Sequence, residues 1–215
     1  MTDRFLLEFV SGTTQSGKTH ETARRVAHEP NLLVWDAKSE FHKKFRCRRV
    51  TESQLRKIAA TEAVGRYAFD VPITLENFEI FCRCAWLWIR VMHEKGRSKA
   101  LVIEELADVS PPGKAPFYWG QIVRKSMYCS PHVYAITQRA AESDKTVKGN
   151  ASVIRCHSLA TPADRKDMAG YLDTSIDRVA GLNFAKYEYL ERDRGTRELW
   201  IAGKGVKRRR LAAAD

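Results

Sequence analysis

Short runs of almost unbroken apolar residues punctuate the chain at 5–10, 31–35, 67–69, 100–103, 132–137 and 152–159. Runs of this length without alternation predict strands buried on both faces, as in a parallel sheet. Helices are predicted between them, over 18–28 (no breaker before Pro30), 52–60, 74–94 and 118–128, and Thr161-Pro162 opens a further short one. In 74–94 the positions Leu75, Phe78, Phe81, Cys82, Ala85, Leu87, Trp88 and Val91 form a broad stripe, read as core rather than as a base-stacking surface. Residues 187–201 predict a β-hairpin turning at 193–195. The end of the chain, 207–215, reads as a frayed basic tail after a single domain over 1–206, with no repeat and no linker long enough to separate domains. Strands alternating with helices predict an α/β fold, with a mostly parallel central sheet flanked by helices and a C-terminal hairpin.

Composition changes this picture in one respect. The 215 residues are 44% apolar and 29% charged, ordinary for a globular chain, but Lys and Arg outnumber Asp and Glu by 37 to 26, a net charge of +11. Such an excess favours a polyanionic partner, either nucleic acid or an anionic membrane surface. The first residues lack a charged region followed by a long apolar stretch, so no signal peptide is expected, and the run 85–89 is far too short to span a bilayer. Cys47, Cys82, Cys84, Cys129 and Cys156 do not stand at zinc-finger spacing; reduced, mostly buried thiols of a cytoplasmic protein are expected.

Three motifs carry chemistry. Between the first predicted strand and helix stands Gly12-Thr13-Thr14-Gln15-Ser16-Gly17-Lys18-Thr19, followed by His20; it matches the phosphate-loop pattern G-x-x-x-x-G-K-[ST], and all of these are candidate nucleotide-binding residues. The glycines let backbone N–H groups turn toward phosphate oxygens, Lys18 reaches the β- and γ-phosphates, and the Thr19 hydroxyl completes a Mg²⁺ shell. The run 99–106 has apolar residues leading into Glu104 and Glu105, which resembles a Walker B strand. There Glu104 holds Mg²⁺ through a water and Glu105 polarises the attacking water. The usual first acid is Asp, so Glu104 departs from the pattern; the second acid favours hydrolysis over phosphoryl transfer to a small acceptor. The strand 132–137 ends in Thr137-Gln138, which puts an amide beside the γ-phosphate if that strand lies between the phosphate-loop strand and the acidic strand.

Together, "GTTQSGKT", "WDAKSEF", "LVIEE" and "AITQR", then "VKGNASVIRCHSLATPADRKDMAGYL" and "VAGLNFAKYEYLER", resemble in order the FtsK/HerA superfamily of DNA-translocating ATPases over nearly the whole chain. The short form is similar to the genome-packaging ATPases of internal-membrane viruses, such as the tectivirus type. The resemblance implies a RecA-like (ASCE) P-loop NTPase using ATP and Mg²⁺, working as a homo-oligomeric ring, usually a hexamer, on double-stranded DNA. It implies action in the host cytoplasm or at a packaging vertex of the virion, with portal or membrane proteins of that vertex as partners. It also implies an arginine finger supplied by the neighbouring subunit, for which Arg124 is the first choice and Lys125, Arg139 and Arg155 follow. Asp36 and Glu40 match the family's polar signature after the second strand; Asp36 equally serves as a turn cap. Gln138 would sense the γ-phosphate.

Candidate DNA contacts are Lys43, Lys44, Arg46, Arg48 and Arg49, then Lys114, Lys145 and Lys148, and finally Lys207, Arg208, Arg209 and Arg210, gripping phosphates without reading bases. The rival readings are a motor in DNA repair or transfer, a filamentous-phage assembly ATPase, a small-molecule kinase, and a basic DNA-binding protein with a structural nucleotide.

Overall fold

The computed structural model describes residues 5–61 and 63–212. Its strands are β1 (Leu6–Ser11), β2 (Leu32–Trp35), β3 (Arg48–Val50), β4 (Arg66–Phe69), β5 (Ala100–Ile103), β6 (His132–Thr137), β7 (Val153–His157), β8 (Tyr189–Asp193), β9 (Glu198–Gly203) and β10 (Val206–Leu211). The helices are α1 (Lys18–Arg25), α2 (Phe41–Lys44), α3 (Glu52–Ala60), α4 (Leu75–Glu94), α5 (Leu106–Val109), α6 (Phe117–Lys125), α7 (Lys145–Asn150), α8 (Pro162–Leu172) and α9 (Ile176–Ala180). All strands join one sheet in the order β10-β9-β8-β7-β1-β6-β5-β2-β4-β3. From β7 to β3 neighbouring strands run parallel, whereas from β7 through β8 and β9 to β10 each neighbouring pair is antiparallel.

The parallel strands are apolar on both faces because helices cover both. On one face Leu7, Phe9, Leu33, Trp35, Leu101 and Ile103 pack in a cluster that includes Leu55 of α3, Phe81 and Trp88 of α4, and Trp119 of α6. On the other, Val10, Leu32, Val34, Val102 and Ile136 meet Val26 and Phe41 beside α1 and α2. The α4 stripe is core where Phe78, Phe81, Cys82, Ala85 and Trp88 lie, but Leu75 and Leu87 are exposed and Cys84, Ile89 and Met92 are buried in addition. At 3.6 residues per turn the buried face of this long helix follows 81, 85, 88 and 92, and Leu87 falls off it.

The end of the chain departs from expectation. Residues 206–211 are not a frayed tail but β10, paired with β9 at the sheet edge. A run of four basic residues can be a strand here because only β9 pairs with it, and charge along an open edge guards against further pairing. The hairpin turn lies at 194–197, slightly later than predicted.

Two basic residues expected at functional surfaces are structural. Arg155 is fully buried on β7; its guanidinium donates to Glu191 Oε2 at 2.9 Å and to Glu8 Oε2 at 2.5 Å. It cannot reach a neighbouring subunit as an arginine finger. Lys148 is 1% exposed and its ammonium donates to the Ala140 carbonyl and to Asp167 Oδ2, each at 2.8 Å. Its stem is spent inside α7 packing, so it is not a DNA contact. Arg25 of α1 joins the Arg155 cluster through Glu191 Oε2 at 2.6 Å, and Arg208 of β10 through Glu191 Oε1 at 3.1 Å, which ties α1, the parallel strands and the C-terminal strands together. Removing one partner leaves buried carboxylates uncompensated. Arg155→Ala is therefore expected to cost about 3–5 kcal/mol in a urea unfolding titration.

Candidate nucleotide site

The loop after β1 is fixed by the strands on either side. Gly12 N–H donates to the Thr137 carbonyl at 3.2 Å and Thr13 N–H to the Ser158 carbonyl at 2.9 Å. A Cβ on Gly12 would lie 2.5 Å from Ser16 Oγ and 2.7 Å from His157 Cβ, so no other residue fits. Gly17 caps α1 with φ of 95°, in the left-handed region that glycine adopts without strain. The loop therefore aims the N-terminus of α1 into a cleft of about 1160 Å³. A helix N-terminus at a glycine loop is suited to phosphate.

Lys18 is buried at the start of α1, and its ammonium donates to the Thr13 carbonyl at 3.2 Å. Burial lowers its pKa, against the attraction of Glu105 and Glu104. At the end of β5, Glu104 is fully buried and neither carboxylate oxygen has a hydrogen-bond partner. Burial, reinforced by repulsion from Glu105, pushes its pKa up to about 8 despite Lys18 and Lys38. A buried, unpartnered carboxyl is costly to the fold.

Glu105 follows at φ 49° and ψ 51°, a left-handed conformation unusual for a residue with a side chain. Its Oε1 accepts from Gln138 Nε2 at 2.5 Å and from Lys38 Nζ at 2.5 Å. Gln138 Oε1 accepts in turn from the Thr14 hydroxyl at 2.5 Å. The expected placement of Gln138 required its strand to lie between the other two, and β6 does lie between β1 and β5. Thr14, Lys18, Thr19, His20, Glu105 and Gln138 thus line one cleft, and Glu104 lies buried close to Lys18 and Glu105.

The cleft also recruits residues that the motifs do not mark. Lys38, Tyr187 and Lys204 line it, and so does Arg208, which therefore faces the candidate nucleotide site rather than a separate DNA surface. The Arg208 guanidinium stacks 4.1 Å from the Trp200 ring centroid. His157, at the end of β7, supports the loop from beneath: Nδ1 donates to the Ser16 carbonyl at 3.0 Å, and the ring packs 5.1 Å from Tyr189. Lys38 had a faint signal in its place between Asp36 and Glu40, and Arg208 was expected on DNA. Nothing in the sequence assigned either to this cleft or marked the others, since only the folding of β7 to β10 brings Tyr187, His157, Lys204 and Arg208 here.

Other predicted residues lie apart. Arg124 is exposed in the last turn of α6 and does not line the cleft; Lys125 beside it is also exposed. Arg139 is paired within its own chain, with Glu142 and with Asp164, the latter at 3.6 Å. Lys43, Lys44, Arg46, Arg48 and Arg49 are exposed near the β3 edge, where Arg49 pairs with Asp70 at 2.5 Å and Lys44 also lines the cleft. Lys207, Arg209 and Arg210 are exposed on β10, at the opposite end of the sheet. Lys114 and Lys145 are exposed on the loop before α6 and at the start of α7. The basic candidates therefore do not form one patch.

His157 makes the loop sensitive to acid. Burial, with the Arg155 charge beside it, lowers its pKa to about 3 from an ordinary 6.5. The folded chain then keeps the ring neutral while the unfolded chain protonates it, so stability falls as pH drops from about 6.5 toward about 3. Between pH 6.5 and pH 5 this residue alone is expected to remove about 2 kcal/mol. Comparing urea midpoints of the wild type and His157→Asn across that range checks it: the difference should narrow as the pH falls.

No family model matches the chain. Among solved structures, the genome packaging NTPase B204 of Sulfolobus turreted icosahedral virus 2, in complex with ATP-gammaS, superposes with a TM-score of 0.73 at 19% identity, covering 94% of this chain and 98% of that one. EssC from Geobacillus thermodenitrificans, in its ATPases 2 and 3, superposes with a TM-score of 0.51 at 11% identity, over 90% of this chain and 38% of that one. At these identities the likeness is one of fold. In sequence, the chain is 32% identical over 177 residues to Protein P9 of Pseudoalteromonas phage PM2, spanning 80% of this chain and 78% of that protein. The chain therefore belongs to the family of phage PM2 Protein P9, and it has the P-loop NTPase fold of its structural neighbours.

Proposed function

We propose that the chain is an ATPase that drives double-stranded DNA, packaging a viral genome into a preformed capsid. The observation that carries the hydrolytic reading is the unbroken run Thr14–Gln138–Glu105, which joins the phosphate loop to an acid placed to take a proton from water. In this reading the loop from Gly12 to Thr19 and Lys18 bind the phosphates, Glu105 activates the attacking water, and Gln138 registers the γ-phosphate. A small-molecule kinase passes the phosphoryl group to a bound acceptor and needs no acid to activate water.

Mg²⁺ fits the residues present. Both Glu104 oxygens are buried without partners close to Lys18 and Glu105, and Thr19 lines the cleft; Glu104 would hold the ion through a water and Thr19 through its hydroxyl. The ion would supply charge neutralisation on the phosphates.

DNA as the partner is supported by the charge of +11 and by the exposed basic residues at the β3 edge, on β10, at Lys114 and at Lys145. The packaging role is supported by the fold shared with B204, whose function is genome packaging. Action in the host cytoplasm and at a virion vertex follows from that role. Among the described residues no helix is long and apolar enough to cross a membrane. A ring is in keeping with the position of Arg124, which is exposed and off its own cleft and is in this reading the finger offered to a neighbour's site.

Hydrolysis measured with and without duplex DNA tests the reading. Turnover should rise with DNA and fall by about 10²-fold or more in both Lys18→Ala and Glu105→Gln; turnover indifferent to DNA would exclude the motor. Subunit mixing tests the finger. Arg124→Ala and Lys18→Ala should each be inactive alone, and the two mixed should regain turnover, because some interfaces then join an intact cleft to an intact Arg124.

A further inference from the structure

We propose that Lys38 is a positioning residue that sets the carboxylate of Glu105 for catalysis. The inference rests on reading Glu105 as the activator of water. β2 and β5 run parallel with Trp35 opposite Ile103, so the residues just beyond each strand emerge side by side at the same edge of the sheet.

The loop that follows β2 is held from several directions. The buried Asp36 carboxylate accepts from the N–H groups of Glu40, Phe41 and His42 at 3.2, 3.1 and 2.9 Å, which caps α2. Ser39 sits at φ 54°, and its hydroxyl donates to Asp70 Oδ1. Between these two anchors Lys38 has little freedom at its backbone, and its ammonium meets Glu105 Oε1 at 2.5 Å. Asp36, read from the sequence as either a coupling residue or a turn cap, is a cap, and what it fixes in place is Lys38.

Gln138 Nε2 bonds the same oxygen, Oε1, at 2.5 Å. Two donors from separate elements therefore hold one oxygen of the carboxylate, and Oε2 takes neither bond. That division suits a general base: one oxygen is anchored by a cation and an amide, and the other is left to accept the proton of a water. It also gives the left-handed backbone of Glu105 a purpose, since the side chain must turn to meet partners on both flanking strands' loops. An exposed lysine–glutamate pair contributes little to stability. Here the Glu105 side chain is only 8% exposed while that of Lys38 is 39% exposed, so the pair's main effect is on where the carboxylate sits.

The test uses the full chain carrying Lys38→Met or Lys38→Arg. Steady-state hydrolysis gives kcat and KM, and titration with a fluorescent ATP analogue gives affinity. Lys38→Met should lower kcat by about 10²-fold and leave affinity within about threefold, and Lys38→Arg should recover most of the lost kcat. A loss lying in affinity with kcat preserved would make Lys38 a phosphate ligand and overturn the proposal; so would an Lys38→Met enzyme with wild-type kcat. If the methionine variant does not fold by thermal melting, Lys38→Gln carries the same comparison. A wild type that hydrolyses no ATP refutes the function proposed for the chain, whereas an active wild type with an active Lys38→Met refutes only the role of Lys38.

Discussion

The site depends on one constraint, the parallel placement of β6 between β1 and β5. Ser11 lies opposite Thr137, and Ala135 opposite Ile103, so all three strands end at the same edge. Glu105 lies two residues past the end of β5 and Gln138 one residue past the end of β6, where their side chains meet. The loop after β1 must pass over these ends, and its first N–H groups bond to the Thr137 and Ser158 carbonyls on the way. Shift β6 by one position and its alternate residues exchange faces, which would put Ile136 among the α4 and α6 side chains and move Gln138 off Glu105.

The same convergence gathers charge where the fold alone would not want it. Glu104 is fully buried without a partner beside Glu105, and the nearby cations are the lysines Lys18 and Lys38. Stability is drawn from elsewhere. The apolar clusters on both faces of the sheet and the ion-paired Arg155–Glu8–Glu191 cluster hold the strands that carry the strained edge. Low-dielectric surroundings strengthen interactions with any charged ligand that arrives, which is why functional sites concentrate groups of this kind.

Much of this was legible from residue order. The apolar runs mark the central parallel strands, though not the basic edge strand β3, because a strand covered on both faces can carry no polar alternation. The helix α3 falls on the polar helix-like stretch 52–60, and α4 begins one residue after Thr74, whose hydroxyl caps it. The phosphate loop is legible because its chemistry is local: a tight turn, a lysine and a hydroxyl within eight consecutive residues. By contrast β10 was not, since four basic residues have no apolar pattern and become a strand only by pairing with β9. Arg155 and Lys148 escape a sequence reading for the complementary reason. A charged residue reads as exposed unless its buried partners are known, and Glu8, Glu191 and Asp167 come from distant stretches of the chain.

The sequence by itself determined the class of fold, the phosphate loop and the acids that accompany it, because each is written in neighbouring residues whose spacing has a direct physical meaning. Only the tertiary structure decided which side chains those motifs work beside. Lys38, His157, Tyr187 and Arg208 reach the cleft through strand order and the closing of the C-terminal strands over α1. Such contacts join residues far apart in the chain, and no local pattern records them.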